Sequence, residues 1–430
     1  MSVSFRFIHA ADLHLDSPFR GLAKAPEIVR KGLADATFAA LNRLTDMAIL
    51  QRVDFIVIAG DLFDEADRSL KAQIALVKEW ERLAAAGIAV FAIHGNHDHL
   101  GGRRARLELP PSVHIFGAAE VSSCPAFTKS GELAAYIYGV SYGERAVSRN
   151  LAAEYITSPG GPYHIALLHG NVGGHPSHDP YAPCTLEELV KSGFQYWALG
   201  HIHKREVLHE YPHVVYSGNL QGRHPKETGA KGCYLVDVDR SGATKLRFCP
   251  LDTIRWEEET ISIDGIETEQ QLLRHMDRAV ALRLQAEEGC SVMLRIRLVG
   301  RGALHEALRQ TATITALLEG LQLEHELAEG RNWIFVYELL TETGAEIDWV
   351  GLAGEESFTG ELLRMSYKLE QDEEAWRGFA REALQDAIEH ARAGLIGREK
   401  WEELPERWLE QARELTISLL AKEEHTGRRP

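Results

Sequence analysis

Hydrophobic positions divide this chain into stretches of different period. Five short apolar runs, at residues 5–10, 55–59, 88–93, 164–168 and 196–199, are nearly continuous, which predicts strands buried on both faces. Between them, residues 26–50 and 70–86 carry apolar positions at helical spacing. This alternation predicts a layered α/β domain. Residues 113–116, 134–140, 214–217, 233–238 and 245–249 read as further strands, the later ones without intervening helices, so a mixed or antiparallel sheet is expected in the second half. Past Pro250 to Trp256 the pattern changes. Residues 268–288 and 305–318 read as helices. Residues 291–299 alternate, with Val292, Leu294, Ile296 and Leu298 on one face and Arg295 and Arg297 on the other, and 333–340 reads as another strand. From Ser357 onward the chain is expected to be helical. Trp376, Phe379, Ala380, Ala383, Leu384, Ala387, Ile388 and Ala391 form one amphipathic stripe, and Trp408, Ala412, Leu415 and Leu419 a second after Pro405. The expected domains are 1–252, a layered α/β domain; 253–345, a small α+β capping unit; and 346–430, a helical region able to dock a partner.

The 430 residues suffice for two or three domains. Hydrophobic residues make up 45% and charged residues 26%, an ordinary globular balance. Five cysteines without C-x-x-C spacing predict reduced thiols and a cytoplasmic location rather than a disulfide framework. No apolar run reaches bilayer length, and Asp12 and His14 interrupt the place of a signal sequence, so neither a membrane span nor a leader is expected. A net charge of −16 argues against nucleic-acid binding by bulk charge but not against a nuclease, since divalent ions invert the field locally.

Fifteen of the twenty histidines lie at or before residue 224. Several fall into five clusters, each at the end of one of the apolar runs: Asp12-Leu13-His14, Gly60-Asp61, Gly95-Asn96-His97-Asp98, His169-Gly170 and Gly200-His201-Ile202-His203. The carboxyl ends of neighbouring strands converge on one sheet edge, so the five clusters can meet and hold two metal ions. Carboxylate and amide oxygens suit hard ions and imidazole suits transition metals. Two ions about 3.5–4 Å apart activate a water and stabilise the attacking and leaving oxygens of a phosphate ester. His97 is the candidate general acid, with the adjacent Asp98 available to orient its ring. Arg103, Arg104 and Arg106 follow the third cluster and are candidate phosphate contacts. His9 reads as a core histidine and His94 as structural, while His175 and His178 lie in a Gly/Pro/Ser loop.

D-x-H, G-D, G-N-H-D, H-G and G-H-x-H in this order resemble the calcineurin-like metallophosphoesterase superfamily. Phe7-Ile8-His9-Ala10-Ala11-Asp12-Leu13-His14-Leu15, Gly60-Asp61-Leu62-Phe63-Asp64, and Tyr216-Ser217-Gly218-Asn219 followed by Arg223-His224 and Lys231-Gly232 resemble its SbcD-type DNA repair exonuclease branch. Leu168-His169-Gly170-Asn171-Val172-Gly173-Gly174 with Tyr181-Ala182-Pro183-Cys184-Thr185 is similar to a YhaO-like subgroup of that branch. The motif likeness covers about residues 5 to 235. It implies a four-layer sandwich of two mixed β-sheets flanked by helices. It implies one metal held by Asp12, His14, Asp61 and His203, and a second held by Asp61, Asn96, His169 and His201, with Asp61 bridging. It also implies His97 as the catalytic histidine, Arg223 and His224 near substrate, manganese as the first choice of ion (magnesium, iron or zinc as alternatives), DNA as substrate, an SMC-like ATPase partner and a homodimer. Some relatives carry a histidine where Asp64 stands here; Asp64 can instead hydrogen-bond a metal ligand. A phosphatase or cyclic-nucleotide phosphodiesterase is the alternative enzyme, because the five clusters serve the whole superfamily. A scaffold subunit with a vestigial site is the non-enzymatic one.

Overall fold

A computed structural model describes residues 3–19, 25–65, 68–102, 105–158, 160–173, 181–286, 289–325, 327, 332–389 and 407–426. The strands of its first sheet are β1 (Phe5–Ala10), β2 (Phe55–Ala59), β3 (Ala89–Ile93), β4 (Val113–Ile115), β11 (Gly232–Val238) and β12 (Thr244–Pro250). Those of the second are β5 (Ser122–Phe127), β6 (Leu133–Gly139), β7 (His164–His169), β8 (Tyr196–Gly200), β9 (Glu206–Glu210) and β10 (His213–Tyr216). The first sheet runs β12-β11-β1-β2-β3-β4 and the second β5-β6-β7-β8-β10-β9. Strands β1 to β4 are parallel, with β11 antiparallel to β1; β6, β7, β8 and β10 are parallel, with β5 and β9 antiparallel at the edges. Both sheets are therefore mixed.

The near-continuous apolar runs follow from burial on two sides. In β1, Phe7 faces the second sheet while Ile8 and Ala10 face helices; in β2, Phe55 and Val57 face inward while Ile56 and Ile58 face outward. The helical side is covered by α1 (Glu27–Leu50) and α2 (Leu70–Ala85), which contribute Leu41, Leu44, Leu76 and Trp80. The inner layer joins Phe7, Phe55 and Phe91 to Ile137, Ile165 and Tyr196. The far face of the second sheet packs Trp197 and Leu199 against Leu189 of α3 (Leu186–Lys191), which opens with a Thr185–Glu188 capping box. Helices, sheet, sheet, helix make four layers. Each fully buried large apolar side chain contributes roughly 1.5–3 kcal/mol.

The edge strands β5 and β9 escape the sequence reading. Their segments, SSCPAF and EVLHE, are mostly exposed and show no apolar alternation. Polar residues and a proline suit strands with one unpaired edge.

The chain divides into two compact units, one of Met1–Glu259, Met276–Ile296 and Leu318–Leu339, the other of Thr260–His275, Arg297–Leu317 and Leu340–Pro430. A third sheet, ordered β13-β14-β15, is built from β13 (Ile254–Ser262), β14 (Ser291–Arg301) and β15 (Ile334–Gly344). Helix α4 is Glu269–Ala286; the single helix expected at 305–318 is instead α5 (His305–Leu308) and α6 (Thr311–Glu324). In the first unit, Trp256, Met293, Trp333 and Phe335 share a core with Val29 and Leu33 of α1.

The second unit ends in α7 (Trp349–Gly354), α8 (Phe358–Glu370), α9 (Glu373–Glu389) and α10 (Arg407–Thr426). Helix α10 buries Leu409, Arg413 and Ile417, with Arg413 donating to Ser366 and Glu370 on α8. The stripe expected at Trp408, Ala412, Leu415 and Leu419 faces outward, with Leu415 62% and Leu419 55% exposed. Of the first stripe, Ala380 is buried and Phe379 is 51% exposed; Ala391 lies outside the described residues. Among the described residues no helix is long and apolar enough to cross a membrane.

Candidate metal centre

Five parallel strands, β1, β2 and β3 of the first sheet and β7 and β8 of the second, end at one place, and each releases a loop that carries ligand atoms. The backbone there is strained. Asp12, His14, Asp61 and His201 all have positive φ, at 51°, 41°, 50° and 91°. Aspartate and histidine tolerate this region better than bulkier side chains, at a cost of about 1–3 kcal/mol each. Hydrogen bonds between the loops hold it: Asp12 N–H donates to Gly60 O, His14 N–H to Asp61 O, both at 3.0 Å, and His201 N–H to the Asp12 carboxylate at 3.0 and 3.2 Å. Two glycines permit the close approach. A Cβ on Gly60, itself at φ 95°, would enter the His169 ring, and one on Gly200 would enter the Ala59 carbonyl.

The side chains form three overlapping groups, one of them His14, Asp64 and His97. Asp12, His14 and His203 place ligand atoms within 4.8 Å of one another, as do Asp12, Asp61 and His169. His14 Nε2 and His203 Nε2 are 3.2 Å apart. Their Nδ1 atoms point to carboxylates, His14 to Asp64 at 3.2 Å and His203 to Glu227 at 2.7 Å. A proton on each Nδ1, beside its carboxylate, would leave two Nε2 lone pairs facing each other. His169 repeats the arrangement: Nδ1–H donates to Ala59 O at 3.0 Å, and Nε2 lies 2.9 Å from Asn96 Oδ1. Opposed lone pairs repel unless a cation sits between them. Atoms bound 2.0–2.2 Å from one ion lie roughly 3–3.5 Å apart, the spacing seen here. The donor set of nitrogen and oxygen atoms therefore fits divalent metal ions.

Asp61 joins the groups. Its Oδ2 lies 3.6 Å from His14 Nε2 and 3.4 Å from His169 Nε2, while Oδ1 accepts from His97 N–H at 3.0 Å. Burial alone would raise its carboxyl, but His169, His14 and His97 outweigh that and hold it well below the ordinary range. His169 is the counterpart: burial lowers it, yet Asp61, Asp12 and the Ala59 carbonyl bring it up to about 9. Burial, then Arg223, pushes His14 down to about 3, so its ring is neutral. The His201 ring lies beside His169, with centroids 5.2 Å apart.

His97 is half-buried, its ring edge-on to His14 at 4.8 Å. Its orienting partner is not Asp98. His97 Nδ1–H donates to the Asp64 carbonyl at 2.7 Å, which leaves Nε2 for substrate. Asp98 instead accepts from His94 Nδ1 at 2.8 Å, Gly95 N–H at 2.8 Å and Leu62 N–H at 3.0 Å. Its neighbour in sequence points away, and the buried carboxylate ties two loops together. His94 is thus structural. So is His9, buried and held by Tyr196 and Leu199.

Of the expected substrate contacts, Arg103 and Arg104 lie outside the described residues, as do His175 and His178. Arg106 and His224 are exposed. The Arg223 guanidinium donates to Asp64 and to Ser17 Oγ at 2.8 Å, so it braces the partner of His14. Sequence reasoning missed Glu227. It accepts from His203, from Asn219 Nδ2 at 2.9 Å and from Arg223 N–H at 2.7 Å. No periodicity marks it; only its place in the loop after Tyr216-Ser217-Gly218-Asn219 does. A carboxylate behind a ligating imidazole fixes its tautomer, and losing one costs about 10–100-fold in metal affinity. Glu227→Gln should therefore weaken manganese binding in calorimetry by about that factor without unfolding the protein; unchanged affinity would reduce Glu227 to a loop tether.

Comparison with known proteins agrees with this geometry. Residues 5–205 match the family profile "Calcineurin-like phosphoesterase", and residues 256–343 match "Metallophosphoesterase YhaO, middle domain". The chain is 26% identical over 308 residues to "DNA double-strand break repair protein Mre11" of Methanopyrus kandleri, covering 66% of this chain and 65% of that one. It is 30% identical over 246 residues to the protein of the same name from Sulfurisphaera tokodaii, covering 54% and 59%. It is 44% identical over 356 residues to "Uncharacterized metallophosphoesterase YhaO" of Bacillus subtilis, covering 82% of this chain and 85% of that one. A likeness of that extent, over five clusters that the fold brings to one place, makes this chain a member of the calcineurin-like metallophosphoesterases.

Proposed function

We propose that the chain is a two-metal DNA phosphodiesterase, an exonuclease of DNA-end processing that works with an SMC-like ATPase. The observation that supports it most is the single Asp61 oxygen placed between His14 and His169, as a bridging carboxylate requires. Asp12, His14, Asp61 and His203 would hold one ion, and Asp61, Asn96, His169 and His201 the other. When bound, two such ions, with manganese the first choice for this mixed nitrogen and oxygen set, would supply a nucleophile at neutral pH and offset phosphoryl charge. The protein's own residues do the rest. Asp64 and Glu227 keep the imidazoles in the ligating tautomer. The Asp64 carbonyl aims His97 Nε2 at the leaving oxygen, where it delivers a proton. Relatives named for DNA double-strand break repair support DNA as the substrate. Arg106 and His224, exposed cation-forming side chains, are available to its phosphates.

The test is purified protein with manganese on end-labelled duplex DNA, beside a phosphomonoester and a chromogenic phosphodiester. Stepwise release of nucleotides from DNA, far above phosphomonoester turnover, is expected. Preference for the monoester would establish a phosphatase instead, and no turnover on any of the three would leave a scaffold. The outward face of α10 supports the ATPase half of the proposal. Removing residues 356–430 should leave cooperative unfolding and DNA cleavage intact while abolishing co-purification with an SMC-like ATPase. Aggregation of the truncated chain would show that these helices are ordinary core.

A further inference from the structure

Cys233 and Cys249 stand directly opposite each other on antiparallel neighbours. The register of β11 on β12 pairs Gly232 with Pro250, Cys233 with Cys249 and Tyr234 with Phe248. Tyr234 and Phe248 turn toward the inter-sheet core, their ring centroids 5.7 Å apart. The cysteines, one position along, share the other face, where Cys233 belongs to the helix-side core and Cys249 packs against it. Both thiols are free. Directly opposed residues of an antiparallel pair have Cα atoms about 4.5–5.5 Å apart. A disulfide spans about 4.4–6.8 Å between Cα atoms. The register therefore puts the pair within the reach of a bridge once the Cys249 Sγ turns from the Arg247 carbonyl toward Cys233.

Access is unequal. Cys233 is fully buried and Cys249 half-exposed, so an oxidant reaches the Cys249 sulfur first and finds the second thiol waiting behind it. The strand with Cys249 runs into Pro250, and the next two residues, Leu251 and Asp252, donate their N–H groups to the Lys231 carbonyl at 2.8 and 3.2 Å. A bridge here would fasten the edge of the first sheet where the chain leaves it for β13.

We propose that Cys233 and Cys249 are a reversible oxidation site, closed by peroxide-class oxidants and reopened by thiols. The Cys249 thiolate attacks a peroxide oxygen and the O–O bond breaks, giving a sulfenic acid and, after proton uptake, water. Cys233 gives up its proton and attacks the sulfenic sulfur. The S–S bond forms and a second water leaves. Two thiols are oxidised by two electrons and one hydrogen peroxide is reduced to two waters. Burial pushes both thiols above the ordinary range, Cys233 further, so little thiolate exists at neutral pH. The site is independent of the proposed nuclease reading.

The experiment treats the full-length protein with a modest excess of hydrogen peroxide, alkylates remaining thiols under denaturing conditions and maps the peptides. The expected product links Cys233 to Cys249, leaves Cys124, Cys184 and Cys290 alkylated, and reverts with dithiothreitol. Its melting temperature without reductant should exceed that of the reduced protein by roughly 5 °C, since a crosslink mainly restricts the unfolded chain. Cys249→Ser, at the half-exposed position, should give neither bridge nor shift. Linkage to another cysteine, sulfinic acid at Cys249 without a bridge, or a bridged form that melts below the reduced one would overturn the proposal.

Discussion

Asp61→Asn should strip the centre of at least one of its two ions and lower phosphodiester hydrolysis by about 10³-fold or more. The substitution preserves shape but removes the negative charge that Asp61 places between the His14 and His169 Nε2 atoms. An amide there supplies at best a single neutral oxygen, and its NH₂ group meets an ion or a lone pair but not both. A bound ion contributes several kcal/mol to a phosphoryl transition state, and each 1.4 kcal/mol is tenfold in rate, so loss of the bridge reaches about three orders of magnitude. Elemental analysis after dialysis, paired with hydrolysis rates, reads both effects. Full occupancy by both ions in Asp61→Asn would remove Asp61 from the ligand set.

His97→Ala should separate proton delivery from metal binding. Its Nδ1–H is spent on the Asp64 carbonyl, which turns Nε2 to the proton-donor role. Both ions should remain, and DNA cleavage should fall about 10²–10⁴-fold, the usual contribution of a positioned acid. A chromogenic diester with an acidic leaving group needs little protonation, so its hydrolysis should fall much less. Equal losses on both substrates, or loss of metal, would mean that His97 does something other than donate a proton.

How much of this was readable in advance depends on burial. Strands β1, β2, β7 and β8 are covered on both faces, so nearly every position is apolar and the segments declare themselves. Strands β5 and β9 meet solvent along one edge and have no such signature. The ligand clusters were legible because each follows a buried strand at once, and strand ends converge. Of the residues that orient those ligands, only Asp64 was, through the resemblance. Asp98 sits next to His97 in sequence but pairs with His94, because the tight turn sends adjacent side chains in different directions. Glu227 and Asp64 reach their histidines across loops from distant parts of the chain, and no spacing rule links positions 203 and 227 or 14 and 64. On α10 the helical period was right, but the row that packs inward is a different one from the apolar stripe it marked. A polar side chain, Arg413, completes the packed row by pairing with Glu370, which an apolar pattern cannot reveal.

The centre lies on the seam between the two sheets. Asp12, His14, Asp61 and Asn96 come from the ends of β1, β2 and β3; His169, His201 and His203 come from the ends of β7 and β8. A ribosome that has released the chain only as far as β6 has made every oxygen ligand and a single imidazole from the proposed set. Neither ion then has its full complement, and the bridging carboxylate has nothing on its far side. Metal uptake in its final geometry must wait until the second sheet has docked through the phenylalanine and tyrosine layer, which makes the loaded centre a certificate that both halves have folded and met.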